Sequence, residues 1–202
     1  MITLYLVRHG ETIWNKIGRY QGSTDVELNE NGREQAKKAA QWFKNVHLDS
    51  IISSPLRRAV YTAEEIAKIQ KCSVETDLGI RELSFGDWEG LTYTEIEERW
   101  PGMIEDMYHD ASKLKLPHGE TFEECQRRCM KSIKELIARG DNKSYAIVCH
   151  GAALRTIICG MLNIPLTLSW NFALSNASIS VLHIYPGDMN ILYTLNSTDH
   201  LK

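Results

Sequence analysis

Two stretches far apart in the chain end in the same way. LYLVRHG (Leu4 to Gly10) and YAIVCHG (Tyr145 to Gly151) each run almost continuously apolar and then close on histidine and glycine. A strand with no polar face suits the middle of a parallel sheet covered on both sides by helices. The rest of the chain supplies those helices. NENGREQAKKAAQWFKN sets Ala36, Ala39, Ala40 and Phe43 at helical spacing with charge on the opposite side. DSIISS is a short strand, and SPLRRAVYTAEEIAKIQ after it reads as a helix with Ser54 as N-cap and Pro55 at its first position. ETFEECQRRCMKSIKELIARG brings Phe122, Cys125, Cys129, Ile133 and Leu136 to one face, opens on a Thr121 and Glu124 capping box, and stops at Gly140. A helix over 152–162 follows the second apolar strand, and two strands around YPGDMN complete the chain. This alternation predicts an α/β fold: a three-layer αβα sandwich on a mostly parallel sheet of about six strands.

With 202 residues, 43% of them hydrophobic, the chain has material for one core, and a single domain over 1–202 is expected. Within it, the irregular, aromatic-rich segment at about 83–119 reads as a helical insertion over the sheet. A net charge of -3 argues against nucleic acid or a membrane surface as partner. No run approaches the ~18 apolar residues of a spanning helix, and the amino terminus enters a strand without a signal-peptide pattern. A soluble cytoplasmic protein is expected. Five cysteines without a C-x-x-C pair read as reduced thiols, and Cys125 and Cys129, at i and i+4, as packing residues rather than half of a metal site.

In open α/β sheets ligands bind beyond the carboxyl ends of the strands. His9 and His150 both stand at such ends, 141 positions apart, and Gly10 and Gly151 after them would let a ligand approach the backbone closely. A third strand end, at Ser53 and Ser54, launches a helix carrying Arg57 and Arg58, and its spacing does not choose between them. One of these with Arg8 would grip phosphate oxygens through guanidinium forks. The sequence offers no strand-end Asp-x-Asp pair or histidine and carboxylate cluster for a metal, so the expected nucleophile is a side chain, His9. Arg8, the helix arginine and His150 would stabilise the oxyanion, and Glu82 in IRELSFG would serve as proton donor and then as base.

LVRHGETIWN, SSPLRRAVYTA, IRELSFGDWEG and CHGAALR resemble, in order, the four signatures of the histidine phosphatase superfamily, phosphoglycerate-mutase-like branch. The resemblance covers Met1 to about Leu162. It implies a six-stranded, mostly parallel sheet and a phosphohistidine mechanism with neither metal nor cofactor. By motif position His9 is similar to the nucleophile, Arg8, Arg58 and His150 to the phosphate pocket, and Glu82 to the proton donor. Asn15, Gln21 and Gly22 match positions at the phosphate and substrate mouth. The alignment of SPLRRA selects Arg58.

The implied substrate is a small phosphomonoester. From Glu82 to Glu124 twelve acidic residues face three basic ones, an acidic lid expected to repel a second anionic group and so to favour hydrolysis over mutase chemistry. Trp88, Tyr93, Trp100, Met103, Met107 and Tyr108 would pack either a flat leaving group or one another. Within the family the wording is most similar to alpha-ribazole phosphatases of cobalamin assembly. Broad-specificity and phosphoserine phosphatases, phosphoglycerate mutases, and a phosphate-binding protein without turnover are the other readings. SWNFALSNASISVLHIY supplies apolar material for a homodimer, which a buried edge hairpin explains equally well.

Overall fold

The computed structural model describes residues 1–187 and 189–202. Six strands form one sheet: β1 (Ile2–Arg8), β2 (Ser50–Ser53), β3 (Val74–Thr76), β4 (Ser144–Cys149), β5 (Ile179–Tyr185) and β6 (Met189–Ser197), in the order β3-β2-β4-β1-β5-β6. The four strands β3, β2, β4 and β1 run parallel, while β5 and β6 are antiparallel additions at the far edge. The expected α/β architecture is therefore present. β3 carries no apolar run and was not legible, and the YPGDMN turn includes position 188, outside the described residues.

Alternation along the central strands divides their side chains between two cores. Leu4, Leu6, Tyr145, Ile147 and Cys149 face one side; Val7, Ala146 and Val148 face the other. The second core is closed by α2 (Glu30–Trp42) and α3 (Arg57–Gln70), following the short α1 (Ile13–Lys16). The first is covered by α6 (Phe122–Ile137) and α7 (Gly151–Leu162), together with α4 (Tyr93–Arg99) and α5 (Met103–Asp110) of the 83–119 segment. The five apolar positions expected on α6 are all buried, and its Thr121 and Glu124 capping box forms. Cys125 and Cys129 pack there as free thiols, and among the described residues no group of His, Cys, Asp or Glu side chains is arranged to hold a metal ion.

Trp88, Ile96, Ile104 and Met107 are fully buried, with Trp100 and Met103 packed beside them, so most of the aromatic and methionine content joins the core on this face of the sheet. Tyr93 and Tyr108 stay exposed.

The expected cap of α3 is a correction. The helix begins at Arg57, with Leu56 as an N-cap that makes no side-chain hydrogen bond. Ser54 is still extended, its N–H donating to the Val148 carbonyl at 2.9 Å, and its hydroxyl accepts from the Leu56 N–H at 3.4 Å instead of from a first-turn N–H. Among the described residues no helix is long and apolar enough to cross a membrane.

Candidate active site

The parallel pairing of β1 with β4 sets Arg8 opposite Cys149, which makes His9 and His150 neighbours on the next rung. Their rings lie 5.1 Å apart between centroids, and both are buried. The backbone of His9 is fixed on two sides: its N–H donates to the Cys149 carbonyl at 3.0 Å, and its carbonyl accepts from Ala177 N–H at 3.1 Å. His9 Nδ1 sits 2.7 Å from the Gly10 carbonyl, which can only accept. The proton is thereby assigned to Nδ1, and Nε2 keeps its lone pair. Burial, followed by the charges of Arg58 and Arg8, holds the imidazole well below the ordinary histidine value, so it is neutral at pH 7.

His150 lies beneath rather than beside the opening. Arg58 Nε–H donates to its Nδ1 at 3.2 Å, and its Nε2 donates to Ser54 Oγ at 2.7 Å. This is where the misread hydroxyl goes: Ser54 orients an imidazole instead of capping a helix. Burial and Arg58 also push His150 well below its ordinary value.

Arg58 is itself seated, with Nη1 donating to the Thr24 carbonyl and Nη2 to the Gly22 carbonyl, each at 2.7 Å. Two of its five N–H groups are left for an anion. Burial lowers it to about 10, still cationic at neutral pH. Arg57 faces away and pairs at the surface with Asp25 and Glu27. Arg8 donates from Nη1 to the Leu174 carbonyl at 2.6 Å, and its buried Nε has no partner among the described residues.

Glu82 does not pair with Arg81. Its Oε1 accepts from the N–H groups of Leu83 at 2.9 Å and Ala153 at 3.0 Å, and its Oε2 from Ala152 N–H at 3.2 Å. The carboxylate thus sits on the first turn of α7, where N–H groups are free and the helix dipole favours negative charge. The turn that carries it is held by Arg128, whose guanidinium donates to the carbonyls of Gly79, Arg81 and Glu82 and pairs with Glu120.

Asn15 Oδ1 accepts from Thr12 N–H at 3.2 Å and from Asn176 Nδ2 at 3.1 Å, and Gln21 Oε1 accepts from Thr12 Oγ1 at 2.8 Å. Both amides therefore present their NH₂ ends to the cavity they line. Gly22 has φ +53°, and a Cβ there would stand 2.1 Å from Glu89 Oε1. That carboxylate ties down Ser23 and Thr24 through their N–H and hydroxyl groups.

His9, Arg8, Asn15, Gln21, Gly22, Arg58, Glu82 and Gly151 open onto one cavity of about 250 Å³. Gly10 does not, which corrects the expectation that it admits a ligand. Its N–H donates to Thr62 Oγ1, and a Cβ would meet the Gly32 carbonyl at 2.3 Å, so the glycine serves the packing of α2 against the sheet.

The acidic lid is a second correction. The cavity lining contains four arginines, Arg8, Arg19, Arg58 and Arg155, against one carboxylate, Glu82. Four of the twelve acids counted are held away from the cavity: Glu95 caps α4 and pairs with Arg19, Glu124 caps α6, Glu89 ties the Ser23 loop and Glu120 holds Arg128. A linear count of charge does not say which way each side chain points. The far wall is made by Tyr20, Phe85, Tyr108 and Trp170 with Arg155; of these only Tyr108 was among the residues expected to face a leaving group. Arg155 was within reach, since it closes CHGAALR at i+4 from Gly151 and so shares its helix face. Asn176 and Trp170 gave no local signal.

A model described as the histidine phosphatase superfamily (branch 1) matches residues 4–197. Phosphoserine phosphatase 1 of Hydrogenobacter thermophilus is 36% identical over 201 residues, which is 100% of this chain and 95% of that protein. A probable phosphoglycerate mutase GpmB of Proteus mirabilis is 36% identical over 183 residues, 89% of this chain and 84% of that one. Among solved structures, a mutant phosphoserine phosphatase from Entamoeba histolytica in complex with phosphoserine superposes with a TM-score of 0.87 at 35% identity, covering 100% of both chains.

Proposed function

The chain belongs to branch 1 of the histidine phosphatase superfamily and is a phosphatase, and from that premise we propose that it hydrolyses small phosphomonoesters through a phosphate carried on His9, without a metal. In the first step the Nε2 lone pair forms a bond to phosphorus as the P–O ester bond breaks, and Glu82 gives its proton to the departing alkoxide. In the second, Glu82 takes a proton from water, whose oxygen attacks phosphorus while the N–P bond breaks and returns the electron pair to Nε2. Arg8 and Arg58 hold the equatorial oxygens throughout, which is where an electrostatic site contributes most. His150 acts from beneath by fixing the Nε edge of Arg58.

The observation that carries this reading is a neutral, buried imidazole with a free Nε2, set in a cavity beside Arg8 and Arg58, which form no ion pair among the described residues. An unsatisfied buried donor such as Arg8 Nε costs about 1–3 kcal/mol, which a phosphate oxygen would relieve.

As to the ester, the cationic lining and a volume below the usual range of about 300–1,000 Å³ for ligand sites favour a compact, multiply charged substrate such as phosphoserine. The relatives described above carry phosphoserine phosphatase and phosphoglycerate mutase names, and the alpha-ribazole reading draws no support from them. Trapping an acid-labile phosphate on the wild-type protein and none on His9→Ala, with hydrolysis indifferent to a chelator, is the expected result. Labelling of both proteins, or loss of turnover on chelation, would overturn it. With 3-phosphoglycerate, free phosphate should appear in place of 2-phosphoglycerate.

A further inference from the structure

Arg155 has no role in the two steps above, yet it lies on the same cavity. Its guanidinium is stacked 4.3 Å over the ring of Trp170, which is pinned in turn by Tyr108 at 5.0 Å and Phe122 at 6.3 Å. Nη1 donates to the Gly151 carbonyl at 3.1 Å. Nε is buried without a partner, and Nη2 makes no hydrogen bond among the described residues. The free Nε and Nη2 edge is the one that grips a carboxylate in bidentate fashion. Trp170 adds a second orphan on the same wall, its buried Nε1.

Charge points the same way. Arg19 is paired with Glu95, so three guanidiniums without an ion pair among the described residues, Arg8, Arg58 and Arg155, line the site. These three guanidiniums face a phosphate of about two negative charges. Arg155 is also near Arg8, since a Cβ on Gly151 would touch Arg155 Nη1 at 3.4 Å and Arg8 Cζ at 3.6 Å. A group bridging the two would have to lie close to the phosphate.

We infer that Arg155, held flat on Trp170, binds a carboxylate of the substrate close to its ester oxygen, so that the site selects phosphomonoesters of small hydroxy and amino acids. This rests on the phosphatase reading for which end of the cavity holds phosphate. Arg155 is a binding residue and Trp170 its positioning residue.

The test compares Arg155→Met and Arg155→Lys with wild type on O-phosphoserine, 3-phosphoglycerate, propyl phosphate and 4-nitrophenyl phosphate. Losing one charge-assisted pair should cut kcat/KM for the two carboxylate esters by about 10- to 100-fold more than for the other two, mainly through KM. Arg155→Lys should recover only part, since an ammonium lacks the fork. Calorimetry with 3-phosphoglycerate and with inorganic phosphate gives a readout independent of turnover: wild type should prefer the former, and Arg155→Met should erase the preference. Parallel losses on all four esters, or an unchanged preference in a folded Arg155→Met protein, would overturn the assignment. A wild-type protein that turns over none of the esters but shows the binding preference would sink the phosphatase reading and leave this one standing.

Discussion

Arg128 gives the most demanding test of how Glu82 is held. Its guanidinium donates to Glu120 Oε1 at 2.7 Å and Oε2 at 2.8 Å, and to the carbonyls of Gly79 at 2.9 Å, Arg81 at 2.7 Å and Glu82 at 2.9 Å. Arg128→Met keeps the bulk of the side chain and removes all five bonds. Breaking one side of a buried pair costs about 3–5 kcal/mol. Because the two side chains keep 18% and 13% of their exposure, the lower end, about 3 kcal/mol, is expected. Urea unfolding measures it. Glu120→Gln leaves the three carbonyl contacts and should cost about 1–2 kcal/mol.

The same substitution frees the turn that carries the proton donor, and a misplacement near 1 Å costs about a hundredfold in rate. Since kcat/KM covers events only up to the loss of the first product, the effect depends on whether the leaving group needs a proton. Arg128→Met should lose about a hundredfold on an alkyl phosphate and at least tenfold less on 4-nitrophenyl phosphate, whose phenolate departs unaided. Equal losses on the two esters, or an unchanged unfolding midpoint, would refute this account of Arg128.

His9 and His150 both stay neutral in the fold because burial and Arg58 depress them. In the unfolded chain they take protons near pH 6.5. Their contribution to stability is therefore complete above that value and falls as pH drops through it toward the depressed folded values, at up to about 2.7 kcal/mol per pH unit for the pair. His9→Asn should lower the slope between pH 6.5 and 5 by up to about 1.4 kcal/mol per pH unit in chemical unfolding, and an unaltered slope would count against the buried neutral pair. Gly22→Ala should weaken vanadate binding at least tenfold, since a Cβ at φ +53° meets Glu89 and displaces the carbonyl that seats Arg58; titration by calorimetry reads it. Asn176→Ala removes the amide shared by the His9 and Gly10 carbonyls and Asn15 Oδ1, and should lower kcat/KM about tenfold with little change in melting temperature.

The sequence showed the fold where a local pattern had a physical cause. Continuous apolar runs revealed β1 and β4, and a capping box with a one-sided apolar face revealed the start and buried face of α6, which ends at Ile137, before the expected stop at Gly140. Where the cause is tertiary, it did not. Val74–Thr76 becomes a strand because β2 offers an edge, and Ser54, which reads as a cap, answers instead to an imidazole 96 positions away. In the site, the residues proposed to meet phosphate lie in motifs beside strand ends and were legible. The residues that hold them in place, Asn176, Arg128 and Glu89, come from distant loops and helices and differ from ordinary surface side chains only in their partners. The direction of the insertion's acids was the largest misreading, because caps and ion pairs absorb charge that a linear tally leaves in the open.

The rung shared by Arg8 and Cys149 has one further consequence. Side chains alternate along a strand, so sliding β1 by one residue against β4 would turn one imidazole into the layer beneath the sheet while burying Leu4 and Leu6 on the wrong side. Misalignment that ruins the chemistry is thus also the misalignment that the packing forbids. The oily residues of these two strands act as the gauge against which the His9 side chain is aimed.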